Sequence, residues 1–157
     1  MSGGENVRIE AMTMADLDGA LAVEQACFRD AWSREVYHAT LLLPYVRYFA
    51  AKDGDGQVVG TLGLRLIAGE GEITNVAVLP RWRGLGIAGR MMEAALREGG
   101  ENGLEAYTLE VRASNRAAIA VYERCGFRTE GIRRDFYTEP REDALIMWLR
   151  KGKTVQL

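Results

Sequence analysis

Histidine, cysteine, lysine and proline are all scarce in this chain, and most of these shortages exclude something. One histidine, His38, cannot make a two-histidine metal site, and it reads as a helix-surface residue. Cys27 and Cys125 have no zinc-ligand spacing, so no metal is expected. They lie far apart among apolar neighbours, which suits a reducing compartment and not a disulfide framework. No apolar run approaches the ~18–20 residues of a membrane span. The opening Met-Ser-Gly-Gly-Glu-Asn lacks a basic-then-apolar signal pattern, so a cytoplasmic protein is expected. Net charge is −2 and the pI is near 5.6, so no basic field argues for nucleic acid. Lysine occurs only at 52, 151 and 153; the arginine excess is compatible with phosphate recognition, but a codon bias is the better account of it.

What remains is 157 residues, 48% hydrophobic, without repeats, low-complexity stretches or an evident linker. That is one domain, 1–157, able to bury its own core, with residues 1–6 and 151–157 expected to be loose. Val7 to Ala11 reads as a strand. Thr13 with Asp16 forms a capping box ahead of a helix through Leu17, Ala20, Leu21 and Glu24. Ser33 caps a second helix, which Pro44 stops. Strands at Arg47 to Lys52 and Val58 to Ile67 flank the hairpin signal Asp53-Gly54-Asp55-Gly56, and Glu72 to Val78 adds a third. A long helix follows with Ala88, Met91, Met92, Ala95 and Leu96 on one face, ending at Gly99 and Gly100. A strand at Tyr107 to Val111, a helix from Ser114 or Asn115 to Arg124, and strands near Phe127 to Phe136 and Ala144 to Leu149 complete an α+β order.

The most informative segment joins the third meander strand to the long helix: Leu79-Pro80-Arg81-Trp82-Arg83-Gly84-Leu85-Gly86-Ile87-Ala88-Gly89. Amides freed at a helix N-terminus, with no Cβ in front of them, form an anion site. Gly84 to Gly89 fits the dinucleotide fingerprint G-x-G-x-x-G, and Glu110 lies about twenty residues on, where a ribose carboxylate would be. Against that, five residues separate strand from first glycine, two of them arginines, and only 68 residues follow Gly89. A dinucleotide domain also alternates strand and helix from its start, which this order does not. A plain glycine-rich strand-to-helix connection is a further reading of the same letters.

Beyond the loop, the run Leu109-Glu110-Val111-Arg112-Ala113-Ser114-Asn115-Arg116-Ala117-Ala118-Ile119-Ala120-Val121-Tyr122 continues ungapped to Gly126-Phe127. Arg133-Arg134-Asp135-Phe136-Tyr137 and Arg141 to Met147 extend it. This resembles the GNAT superfamily of acetyl-CoA-dependent N-acetyltransferases, and within it the RimI-type enzymes that acetylate the N-terminal alanine of a small-subunit ribosomal protein. The loop fits that family's [RQ]-x-x-G-x-[GA] pattern from Arg83 to Ala88. The resemblance spans nearly the whole chain, most weakly before residue 60. It implies a mixed, mostly antiparallel sheet of six to seven strands flanked by about four helices.

It also implies roles. Val76, Ala77 and Val78 align with the strand whose backbone holds the pantetheine arm. Arg83, Gly84, Leu85, Gly86, Ile87, Ala88 and Gly89 align with the pyrophosphate loop, and Asn115 with a cofactor-binding asparagine that would also serve as a helix cap. Glu110 resembles the general base and Tyr122 the general acid. An N-terminal amine, pKa ~7.7–8.0, must be neutral to attack a thioester, and a carboxylate can accept its proton. A phenol of pKa ~10 can donate to a departing thiolate. On the residues alone, Glu110 could equally be solvated or paired with Arg112, and Tyr122 could be a core aromatic. Cys125 as an acetylated nucleophile is the weaker alternative to direct attack in a ternary complex.

The acceptor is expected between Phe28–Ser33 and the Arg133–Asp143 hairpin, with Trp32, Arg133 and Tyr137 as substrate contacts. Here the chain departs from the family pattern of two tyrosines then proline: it reads Phe136-Tyr137-Thr138-Glu139-Pro140, with a shorter tip. The implied partner is a protein or peptide N-terminus from a ribosomal protein, with no direct nucleic-acid or membrane contact. Oligomeric state stays open, a monomer being the simpler expectation. A small-amine acetyltransferase and a non-catalytic acyl-CoA-binding module are the rival readings.

Overall fold

The computed structural model describes residues 6–151. The expected looseness of the ends therefore lies almost wholly outside the described residues, except that Lys151 donates its backbone amide to the Glu105 carbonyl. Seven strands, β1 (Arg8–Ala11), β2 (Val46–Lys52), β3 (Val58–Ile67), β4 (Glu70–Val78), β5 (Ala106–Arg112), β6 (Arg128–Tyr137) and β7 (Glu142–Arg150), form one sheet in the order β1-β2-β3-β4-β5-β7-β6. Every pairing is antiparallel except β4 with β5. Four helices complete it: α1 (Leu17–Cys27), α2 (Arg34–Leu41), α3 (Ile87–Glu101) and α4 (Arg116–Arg124).

Local chemistry explains the starts of these elements. The Thr13–Asp16 capping box forms as expected, though it opens a single 3-10 turn, Met14–Asp16, that runs on into α1. Ser33 Oγ accepts the Val36 amide at 3.2 Å and starts α2. Alternation in β2 turns Phe49 and Ala51 toward α3 and Tyr48 and Ala50 toward α1 and α2, so helices cover both faces.

One boundary differs from the sequence expectation. The long helix does not end at Gly99 and Gly100 but runs to Glu101, with the left-handed turn at Gly103. Gly99 is there for packing: a Cβ on it would collide with the buried Tyr107 hydroxyl, which donates to the Leu96 carbonyl.

Two irregularities shape the centre of the sheet. The parallel β4–β5 pairing covers only Glu70–Glu72 against Ala106–Thr108, so the strands part beyond Glu72. In the same stretch β4 carries a bulge against β3, with Asn75 and Val76 opposite Leu62 alone and Asn75 at φ +50°.

Candidate active site

The opening between β4 and β5 is flanked by several of the residues singled out in the sequence. Val76, Ala77 and Val78 end β4 on one side, and Glu110 lies near the end of β5 on the other. The Val78 carbonyl already accepts from Arg83 Nε at 2.8 Å and lies 3.4 Å from Cys27 Sγ. Arg83 also gives its backbone amide to the Pro80 carbonyl. Its side chain thus pins the loop to the strand end, and the open amides begin after it.

Pro80–Trp82 form a 3-10 turn, and Trp82 packs on the core. Gly84 and Gly86 then take φ +79° and +81°, and a Cβ at either would meet nothing within 4 Å. Gly86 is the N-cap of the 15-residue α3, no side chain caps it, and no acidic residue lies in the first turn. The N–H groups of Ile87, Ala88 and Gly89 therefore have no protein acceptor among the described residues. The side chain of Ile87 is buried, so the first turn of α3 presents backbone outward, with the exposed side chain of Leu85 beside it. A diphosphate fits such a cradle, and the parted strands beside it leave backbone edges for an extended arm.

Asn115 holds its capping role, with Oδ1 accepting the Ala118 amide at 3.2 Å, which leaves its amide nitrogen as a donor. Glu110 is partly buried and forms an ion pair with Arg133 at 3.1 Å. The partner is thus not Arg112. That arginine reaches the Thr138 and Pro140 carbonyls and Glu142, and its guanidinium covers the Tyr137 ring at 4.3 Å. Arg133 stands opposite Ala144 on β7, which is fully buried.

Tyr122 is 7% exposed, with its ring 6.3 Å from Phe127. Burial pushes its phenol up to about 12, with Tyr137 and Cys125 adding to the effect. The hydroxyl has no protein hydrogen-bond partner among the described residues. A phenol held neutral is a proton donor at neutral pH. Tyr137 is half-buried, and burial followed by the charge of Glu110 raises its phenol. It stands within electrostatic reach of both Glu110 and Tyr122. Cys125 lies near the same place, but burial also raises its thiol, which disfavours a nucleophilic thiolate.

Trp32 sits apart from this group, edge-on to Tyr37 at 5.7 Å in the α1–α2 packing. Its loop meets the β6–β7 hairpin elsewhere, through Arg29 and Glu139 at 3.3 Å. Both side chains are about 70% exposed, so the contact lies on the rim. Pattern reading passed over that contact and also Glu24, a 1%-exposed carboxylate on α1. The available signal was its position: Glu24 continues the Leu17, Ala20, Leu21 stripe, where an apolar residue belongs. Among the described residues no cluster of three or more histidine, cysteine or acidic groups could hold a metal, and no helix is long and apolar enough to cross a membrane.

Comparison with known proteins agrees with this arrangement. Residues 17–127 match the acetyltransferase (GNAT) family. The chain is 32% identical over 143 residues to the ribosomal protein bS18-alanine N-acetyltransferase of Escherichia coli strain K12, covering 90% of this chain and 95% of that one. It is 32% identical over 151 residues to the N-alpha-acetyltransferase RimI of Mycobacterium tuberculosis, covering 91% and 92%. The crystal structure of the ribosomal-protein-S18-alanine N-acetyltransferase from Escherichia coli superposes with a TM-score of 0.83 at 31% identity, over 96% of this chain and 99% of that one. By the family match, these identities and this superposition, the chain belongs to the acetyltransferase (GNAT) family.

Proposed function

We propose that this chain, as one acetyltransferase domain, acetylates the N-terminal α-amine of a protein, with the alanine of a small-subunit ribosomal protein as acceptor. As a family member it is an acetyl-CoA-dependent N-acetyltransferase, and acetyl-CoA supplies the activated acyl carbon. The observation that supports the finer reading is that Glu110 of β5 flanks the β4–β5 opening, paired with Arg133 and close enough to Tyr137 to raise its phenol, while α3 opens after β4 with uncapped amides.

The amides from Gly84 to Gly89 would hold the diphosphate, and Val76, Ala77 and Asn115 the arm. Glu110 would take a proton from the acceptor amine, directly or through a water, leaving a lone pair for attack. The nitrogen–carbon bond then forms while the carbon–sulfur bond breaks, Tyr122 would pass its hydroxyl proton to the departing sulfur, and the proton the new amide nitrogen sheds would restore the phenol by way of solvent, as Glu110 releases its own. Arg133 and Tyr137 flank that acceptor side, and Trp32 braces the facing loop.

Incubation with acetyl-CoA and a peptide beginning Ala-Arg, read by mass spectrometry, tests this. N-terminal acetylation is expected, and Glu110→Gln is expected to lower kcat at least about 100-fold with acetyl-CoA binding retained. No acetylated peptide from a protein that binds acetyl-CoA would sink the peptide reading. A polyamine acetylated in its place would favour the small-amine alternative.

A further inference from the structure

Five polar side chains from five elements converge beneath the β4 bulge, and none belongs to the reaction outlined above. Glu24 of α1 accepts from Asn75 Nδ2 at 3.0 Å and from Thr61 Oγ1 of β3 at 3.3 Å. The Tyr37 hydroxyl of α2, which donates to Met12 Sδ at 3.8 Å, stands near the same carboxylate, where burial raises the pKa and this hydroxyl lowers it. Asn75 Oδ1 accepts in turn from the Tyr48 hydroxyl of β2 at 3.4 Å. Glu24 is 1% exposed and Thr61 fully buried. A carboxylate placed so deep without a cation is costly unless its hydrogen bonds are made. Here they are made, and the central bond goes to the residue that shapes the bulge.

Asn75 is not glycine, yet it stands at φ +50°. Holding it there sets the direction of the next peptide groups, those of Val76 and Ala77, just where β4 has left β5. A side chain fixed at both ends, by Glu24 and by Tyr48, is what holds a strained backbone in one conformation. We propose that Glu24 is a positioning residue for the acyl donor: through Asn75 it locks the bulge that aims the Val76 backbone into the opening. The inference rests on the reading of that opening as the donor site.

Calorimetric titration with CoA, kinetics and thermal melts test it together. Glu24→Met fills the same apolar stripe but gives Asn75 no acceptor. It is expected to weaken CoA binding and raise the acetyl-CoA KM roughly tenfold, the scale of one lost hydrogen bond, with the peptide KM unchanged. Glu24→Gln keeps one acceptor oxygen and is expected to restore both values to within about threefold. Asn75→Gly adopts the same φ without the clamp, so it is expected to show the CoA loss even if Glu24→Met fails to fold. Adding Glu24→Met to it is expected to cost no further affinity. Tyr37→Phe removes a polar neighbour of Glu24 but leaves Asn75 bonded, and CoA affinity is expected to hold. Variants that melt earlier yet bind CoA like the wild type would overturn the proposal, leaving Glu24 a fold residue only. A wild-type chain that binds no CoA would instead overturn the donor-site reading.

Discussion

Replacing Gly86 with alanine separates what this glycine does for the fold from what it does for a ligand. Gly86 stands at φ +81°, and a Cβ there would meet nothing within 4 Å. The cost to the free protein is therefore confined to the backbone. A left-handed L residue costs about 1–2 kcal/mol, or about 2–8 °C in Tm for a chain of this size. Gly56 in the β2–β3 turn has φ +83° and equally open surroundings, so Gly56→Ala is a matched control. Ligand binding is expected to part the two. A phosphate oxygen must approach the first amides of α3 closely, and a methyl group on Gly86 projects into that open space. Losing one hydrogen bond to a charged group, about 1.5–3 kcal/mol, weakens acetyl-CoA binding about 10- to 100-fold. At a concentration 100 times the wild-type Kd, acetyl-CoA stabilises the wild type by about 2.7 kcal/mol, roughly 5–11 °C. With affinity down 100-fold, that contribution shrinks to about 0.4 kcal/mol, near 1 °C. Thermal melts with and without acetyl-CoA, alongside titration calorimetry, read both quantities. Equal ligand-induced shifts in the two variants would refute the loop as the anion site.

Three further outcomes follow from single contacts. Tyr122→Phe removes a hydroxyl that has no protein hydrogen-bond partner, so stability is expected to change by less than about 0.5 kcal/mol while kcat falls at least about tenfold; an unchanged kcat rejects the acid role. Gly99→Ala drives a methyl group into Tyr107, and its overpacking cost of about 1–3 kcal/mol exceeds the helix-propensity gain. Neighbouring Gly100 faces only Lys151 Nζ at 3.6 Å, so alanine there is expected to stabilise by up to about 1 kcal/mol; melts giving both changes the same sign contradict the packing argument. Although burial alone would raise Asp16, hydrogen bonds from Lys52 and Thr13 hold its carboxyl below the usual range. Its contribution is thus present above the unfolded value of about 3.9 and lost as pH falls through the lower folded value. Lys52→Met is expected to move the acid-unfolding midpoint to higher pH, and an unmoved midpoint counts against the pair.

The donor half of the candidate site was legible because its causes are local. Gly84 and Gly86 need positive φ, α3 needs an uncapped start, and both follow from neighbours in the chain. The α3 end was harder because glycine enters helices for two reasons. At Gly103 it serves a left-handed turn, whereas at Gly99 it makes room for Tyr107, a residue of another element. The bulge at Asn75 was hidden for a similar reason. Nothing within the Ile73–Val78 stretch demands positive φ; the demand comes from Glu24, fifty-one positions away.

The acceptor half depends on register across three strands, which no short-range pattern encodes. Arg112 stands two residues from Glu110 on the same face of β5, so proximity in sequence nominates it as the partner. In the fold it is committed to the hairpin backbone and the Tyr137 ring, and β7 places Arg133 over Glu110 in its stead. The arginine that reads as a substrate contact is therefore also the counter-ion of the proposed base. Its side chain is 55% exposed, and so open a pair contributes at most about 1 kcal/mol. An incoming chain end can displace Arg133 at small cost. On the proposed reading the same displacement would free a guanidinium beside the acceptor, so acceptor choice and the readiness of Glu110 would depend on one side chain, and that side chain is placed by the hairpin whose tip departs from the family pattern.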